Sequence, residues 1–120
     1  MVRADPVELE QVFLNLILNA RDSLCALPSS EVRRLELGVD ANSKHVALTI
    51  EDNGPGIAPE HQGKLFEPGF TTKAAEGSGI GLWISNSFVT AAGGRLRFEP
   101  ITPRGARFVV ELARVVESKS

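Results

Sequence analysis

Between Gly54 and Gly81 the chain concentrates seven of its eleven glycines, and that stretch sets the limits on what these 120 residues can form. Glycine and proline punctuate regular structure, so no helix or strand is expected to run through Asp52-Asn53-Gly54-Pro55-Gly56. From Phe66 to Ser78 there is no apolar period at all, only Gly, Pro, Thr and charge. A long irregular loop is expected there, and such loops inside compact domains are usually functional or disordered. The two sides of this stretch read alike, each as one amphipathic helix followed by two alternating strands.

On the N-terminal side, Asp5-Pro6-Val7-Glu8 has the form of a helix start, with Asp5 as cap and Pro6 at the first helical position. Leu9, Val12, Phe13, Leu16, Ile17, Ala20 and Leu24 recur at spacings of three and four and predict one helix down to about Leu27. Leu14 and Leu18 lie off that stripe, so the helix is expected to meet apolar material on a second side. Leu35, Leu37 and Val39, then Val46, Leu48 and Ile50, alternate with polar residues. The connection Asp40 to Ser43 makes them an antiparallel hairpin, half-buried on one face. Pro59 to Leu65 fits a short helix. On the C-terminal side, Ile80, Ile84, Phe88 and Val89 predict a second helix that stops at Gly93-Gly94. Leu96 and Phe98, then Ala106, Phe108, Val110 and Leu112, form a second hairpin around a turn from Pro100 to Gly105. This order suggests an α/β fold, a mixed sheet with helices layered on one face. One domain is expected over residues 1–113, with a frayed tail over 114–120.

Composition removes several classes of function. Thirteen Lys+Arg against fifteen Asp+Glu give a formal charge of −2, so neither nucleic-acid binding nor a polybasic membrane anchor has an electrostatic basis. A single cysteine, Cys25, cannot form an internal disulfide or a Cys-rich zinc site. The N-terminus has no apolar signal region. The longest uncharged run, Gly77 to Gly94, is too rich in Gly, Ser, Asn and Thr to span a membrane. A soluble, cytoplasmic domain is expected, and a chain of this length buries roughly two thirds of its unfolded surface.

Three constellations can carry chemistry. Asn15 and Asn19 stand four apart on the first helix, with Glu8 and Asp22 on the same side. Amide oxygens are hard ligands that suit magnesium; the bland alternative is two solvated asparagines, although asparagine is a poor helix former. Asp52 ends an apolar strand just before Gly-Pro-Gly. A half-buried carboxylate there can accept from the exocyclic amine of adenine and would reject guanine, while Gly54 and Gly56 let backbone approach a flat ring. Asp-Asn-Gly is equally good turn chemistry. Gly77-Ser78-Gly79-Ile80-Gly81-Leu82 opens the second helix, where free amides can bind phosphate. It is neither a dinucleotide fingerprint nor a Walker motif. Thr71, Thr72 and Lys73 supply hydroxyls and a cation just upstream.

Taken together, these motifs resemble the ATP-binding catalytic domain of sensor histidine kinases, whose Bergerat-type sandwich is shared with gyrase, the Hsp90 chaperones and MutL. Asn15 to Ala20 looks like the N box, Asp52 to Ile57 the first glycine box, and Gly77 to Leu82 the second. Phe66 to Lys73 resembles the F box and lid of the nitrogen-regulation and dicarboxylate-sensor branch. The resemblance covers Asp5 to about Leu112. It implies that Asn19 holds Mg2+ with Asn15 nearby, that Asp52 reads adenine, and that Phe66 to Ser78 is an ATP lid. Asp22, Gly54, Gly56, Ile57, Phe66 and Leu82 join the expected ATP site, with Thr71, Thr72, Lys73, Gly77, Ser78, Gly79 and Gly81 about the phosphates.

The chain departs from the family pattern in several places. Gly69 replaces a common aromatic of the lid, and Ala106 stands where many relatives have threonine. The strand or strands that usually precede the first helix are missing. Neither His45 nor His61 resembles a phospho-acceptor, and both read as surface histidines. ATP-hydrolysing relatives carry glutamate at the position of Asn15, and an amide is no base for water. The resemblance therefore implies a histidine kinase module rather than an ATPase, with Lys73 and Asn15 assisting transfer to a separate histidine-bearing dimerisation domain. A response-regulator receiver would stand downstream, and the isolated module is expected to be monomeric. A nucleotide-binding interaction module without kinase activity is the alternative, with a hydrolysing ATPase as a third reading.

Overall fold

Apolar spacing organises the elements of both halves. The computed structural model of the chain describes residues 6–67 and 81–113. In chain order these form α1 (Pro6–Cys25), β1 (Leu35–Ala41), β2 (His45–Asp52), α2 (Pro59–Gln62), α3 (Gly81–Ala91), β3 (Arg95–Pro100) and β4 (Ala106–Ala113). The stripe of α1 buries Val12, Leu16, Ala20 and Leu24. The helix ends two residues before Leu27, where the chain tightens into turns in which the Ala26 N–H donates to the Ser23 carbonyl and the Leu27 N–H to the Leu24 carbonyl. The Arg33 guanidinium donates to the carbonyl oxygens of Leu24 at 2.9 Å and Leu27 at 3.0 Å, tying the following loop to this end of the helix. The expected cap at Asp5 and the tail lie outside the described residues, as does the loop from Pro68 to Ile80.

The two hairpins join through their later strands into one sheet of order β1-β2-β4-β3. All three pairings are antiparallel, with Ile50 opposite Phe108 and Leu96 opposite Val110. The mixed sheet expected from the sequence needs a parallel neighbour, and none occurs among the described residues. Helices α1 and α3 pack against each other, α1 on β2 and α3 on β3. Between helices and sheet lie Val12, Leu16, Ala20, Ile50, Val89, Leu96, Phe108, Val110 and Leu112. Phe108 is the aromatic centre of this layer, its ring 5.4 Å from Phe98 and 6.5 Å, edge-on, from Phe66.

The opposite face of the sheet is covered by its own charges. Arg107 donates to Glu51 on β2 and Glu99 on β3, and Arg97 donates to Glu99 and Glu111. The hydrogen bonds from Arg97 and then Arg107 hold the Glu99 carboxyl below the ordinary glutamate range. Those pairs are partly solvated, so each contributes little to stability; together they keep one face of an antiparallel sheet wettable.

The first hairpin differs from expectation. Leu37 and Val39 pair with Ile50 and Leu48 and so share the helix-side face of the sheet. They are nevertheless 63% and 71% exposed, because α1 sits over β2 rather than over the edge strand. The short helix is also briefer than expected, ending at Gln62 with Gly63 as its C-cap.

Burial predicts where the fold is most vulnerable. Phe108 is 2% exposed, and Phe108→Ala is expected to cost about 3–5 kcal/mol, the usual penalty for removing a buried aromatic. For a domain whose total stability is about 5–15 kcal/mol, the urea midpoint should fall steeply, and the variant should be marginally folded.

Candidate functional site

Asp52 is the last residue of β2, and the sheet register brings it opposite Ala106 of β4. It is 3% exposed. Its Oδ1 accepts from the backbone N–H of Gly54 at 2.8 Å and from the Ser23 hydroxyl of α1 at 3.2 Å. The neighbouring Asn53 fixes the turn from the other side. Its side chain accepts from the Arg34 N–H at 2.7 Å and donates to the Val32 carbonyl at 2.8 Å. A Cβ on Gly54 would strike the Ser23 hydroxyl and come within 2.9 Å of Asp52 Oδ1, so the close approach there requires glycine.

Beside this carboxylate opens a cavity of about 510 Å³, well within the range of small-molecule sites. One wall is the C-terminal part of α1, through Asn19, Asp22 and Ser23, which share a helix face by their three- and four-residue spacings, with Cys25 and, just past the helix end, Ala26. The other wall is the turn after β2, through Pro55, Gly56 and Ile57, with Ala106 contributed by β4. Buried carboxylate, apolar wall and oxygen ligands thus stand in one pocket, the combination that a flat heterocycle with an amino group and a polar tail requires.

Of the residues expected at the site, Asn19, Asp22, Asp52, Gly56 and Ile57 line this cavity, and Gly54 lies against Asp52. Asn15 is placed differently. Its Oδ1 accepts from Gln11 at 2.9 Å, and its Nδ2 donates at 3.1 Å to the hydroxyl of Ser85, which is fully buried on α3. It therefore joins the two helices. Phe66 packs edge-on against Phe108, Leu82 packs on the core, and neither is among the cavity-lining residues. Gly81 begins α3. Thr71, Thr72, Lys73, Gly77, Ser78 and Gly79 lie outside the described residues.

Ser23, Cys25, Ala26 and Pro55 were not anticipated. Ser23 and Ala26 were findable, since they stand four and seven residues after Asn19 on the same face. Cys25 stood in the sequence as a helix residue without a role.

Magnesium suits the donor set. Asn19 and Asp22 offer hard oxygens, whereas no group of three or more His, Cys, Asp or Glu among the described residues could hold a metal. A cation that relies on one or two protein oxygens and completes its shell with phosphates and water fits that arrangement. Among the described residues that line the cavity there are two carboxylates, Asp22 and Asp52, and no Lys or Arg.

Comparison with known proteins agrees with this geometry. Residues 4–115 match the family described as Histidine kinase-, DNA gyrase B-, and HSP90-like ATPase. Sensor histidine kinase ZraS of Salmonella typhimurium is 38% identical over 111 residues, covering 92% of this chain and 23% of ZraS. The two-component sensor PprA of Pseudomonas aeruginosa is 43% identical over 115 residues, covering 93% of this chain and 12% of PprA. The chain thus spans less than a quarter of the length of these relatives. The solved structure of the mycobacterial sensor histidine kinase MprB superposes with a TM-score of 0.79 at 29% identity, covering 93% of this chain and 76% of that one.

Proposed function

Because the chain belongs to the Histidine kinase-, DNA gyrase B-, and HSP90-like ATPase family, we propose that it transfers the γ-phosphoryl group of Mg-ATP to a histidine on a separate, histidine-bearing dimerisation domain of its own longer protein. A response-regulator receiver would take the phosphoryl group next. The observation that carries the reading is Asp52, a buried carboxylate held by Ser23 and Gly54 at the edge of a cavity that Asn19 also lines.

Asp52 accepts from the 6-amino group of adenine. Guanine would present its carbonyl oxygen to the same buried carboxylate, acceptor facing acceptor, and leave both unsatisfied. Pro55, Ile57 and Ala106 provide apolar surface for the ring. Asn19, with Asp22, would hold the magnesium ion, which neutralises phosphate charge and orients the γ-phosphate.

Asn15 favours transfer over hydrolysis. Its amide is no base, and its hydrogen bonds with Gln11 and Ser85 give it a place in the helix–helix contact. Water attack needs its proton removed. A neutral imidazole does not, because its attacking nitrogen carries a lone pair and no proton. The N–P bond forms as the bond from the γ-phosphorus to the β–γ bridging oxygen breaks, and ADP leaves with the electron pair. Positioning and charge neutralisation are then sufficient; Lys73 is proposed as the cation that closes on the phosphates. No described helix is long and apolar enough to cross a membrane, and the proposed workplace is the cytoplasm, where ATP is supplied.

The test has two arms. Cys25 lines the cavity and is exposed, so saturating Mg-ATP should slow its alkylation while Mg-GTP does not. With a cognate histidine-bearing domain and γ-labelled ATP, acid-labile, base-stable phosphohistidine should accumulate on that domain, with little phosphate released in its absence. Protection of Cys25 without transfer to any cognate acceptor would refute the kinase and leave a nucleotide-binding module. Brisk phosphate release by the chain alone would make it an ATPase.

A further inference from the structure

Among the described residues two polar side chains are buried, Asp52 and Ser85. Asp52 belongs to the cavity, whereas Ser85 is fully buried and is not one of the residues that line it. Ser85 sits on α3, which packs against α1. Val89, one turn further along α3, is part of the core, as are Val12 and Leu16 around Asn15 on α1. A hydroxyl in such surroundings costs free energy unless it is hydrogen-bonded, and an alanine would occupy the place without that demand. Packing alone therefore gives no reason for a serine here.

The hydroxyl accepts from Asn15 Nδ2 at 3.1 Å, while Gln11 Nε2 donates to Asn15 Oδ1 at 2.9 Å. The two bonds together fix which way the Asn15 amide faces, its nitrogen toward α3 and its oxygen toward Gln11. Asn15 stands one turn, about 6 Å along the axis, before Asn19, and Ser85 stands one turn after Gly81, the first residue of α3. A helix satisfies none of its first four amides internally, and Ser85 follows directly on those of α3, Gly81 to Ile84. On the reading that Asn19 holds magnesium for phosphoryl transfer, we propose that Ser85 is a positioning residue for the phosphate end of Mg-ATP. Acting through Asn15, it fixes the spacing between Asn19 and the first turn of α3, the two sides between which the terminal phosphates are held.

The order of residues along α1 separates this role from recognition of the base. Asn15 meets Ser85, Asn19 follows one turn later, and Ser23, a further turn on, donates to Asp52. The Ser85 bond and the adenine contact thus lie on opposite sides of Asn19. Removing the hydroxyl takes this acceptor from the Asn15 nitrogen, lets the amide turn, and loosens the start of α3 against α1. Phosphoryl transfer depends on placing the reacting groups closely and on neutralising their charge. Adenine binding at Asp52 does not depend on where α3 begins.

Ser85→Ala should fold as the parent does and bind Mg-free ADP within about twofold of it. The advantage of Mg-ATP over Mg-free ADP, read by calorimetry, should fall by about tenfold. With the histidine-bearing domain as acceptor, kcat should fall by at least about tenfold while KM for that domain stays the same. Ser85→Cys, nearly the same in shape but a weak acceptor, should behave like the alanine variant. Asn15→Ala should lose at least as much, and adding Ser85→Ala to it should cost little more, since the two side chains act as one unit. The binding measurements stand apart from transfer. A parent that favours Mg-ATP but phosphorylates no acceptor refutes the kinase, while the Ser85 variants still decide the positioning role. An unchanged Mg-ATP advantage in Ser85→Ala overturns the proposal. A loss that falls equally on ADP, or failure of both Ser85 variants to fold, marks a purely structural hydroxyl and overturns it too. So do losses that add in the double variant, or a parent that binds Mg-free ADP as tightly as Mg-ATP.

Discussion

Asp52→Asn is expected to fold like the parent chain and to lose affinity for adenine nucleotides by roughly a hundredfold or more. The substitution preserves shape, and an amide oxygen at the position of Oδ1 still accepts from Gly54 N–H and the Ser23 hydroxyl. The other carboxylate oxygen becomes an NH2 group. Facing the amine of adenine, it sets donor against donor in a position that is 3% exposed, where water cannot intervene. Calorimetric titration with Mg-ATP measures the loss, and Trp83, 40% exposed on α3, offers a fluorescence signal. Thermal melting without nucleotide should change by only a few degrees. Unchanged ATP affinity would refute the assignment of adenine recognition to Asp52. Guanine affinity that rises as adenine affinity falls would support it further, because the new NH2 group can donate to the guanine oxygen.

Much of this site is legible in the sequence because its residues are local. Asp52, Gly54, Gly56 and Ile57 occupy one turn, and Asn19 and Asp22 occupy one helix face, so strand end and helical period bring each set together before any tertiary contact exists. Contacts between distant segments are the ones that escape such reading. The hydrogen bond from Asn15 to Ser85 joins residues 70 positions apart. Spacing puts Asn15 beside Asn19 but says nothing of a buried hydroxyl on α3. Likewise Ser23, 29 residues before Asp52, is an unremarked serine until the sheet places Asp52 under the helix.

Coverage is harder to read than periodicity. Alternation identifies Leu35, Leu37 and Val39 as one face of β1, correctly the helix-side face, yet it cannot say whether a helix lies over it. The same limit applies to α1, where Leu14 and Leu18 signal a second contact without naming its partner. Phe66 shows the converse. It begins an aperiodic stretch and reads as loop, while its ring packs on Phe108 and anchors the start of that segment to the core.

Glycine 105 carries the other large effect, and it separates two reasons for conserving space. Its φ is +131°, a backbone conformation that side chains rarely adopt, and a Cβ there would lie 2.5 Å from the Asp52 carbonyl oxygen. Gly105→Ala therefore combines backbone strain with overpacking, each of which costs about 1–3 kcal/mol. The expected loss is roughly 2–6 kcal/mol in a urea titration. Two neighbours in type provide the controls. Gly93 has φ +80° with nothing within 4 Å of an added Cβ, so Gly93→Ala tests strain alone and should cost about 1 kcal/mol. Gly63, with φ −74° and equally open space, should accept alanine with little change or a slight gain. Nucleotide affinity distinguishes them more sharply than stability does. The methyl group on residue 105 pushes the end of β2 away from β4, where Asp52 pairs with Ala106. Folded Gly105→Ala protein should thus bind Mg-ATP at least about tenfold more weakly, whereas Gly63→Ala and Gly93→Ala should bind it normally. Equal stability losses at 93 and 105, with ATP affinity intact in both, would show that strain alone explains Gly105 and that its closeness to Asp52 is incidental.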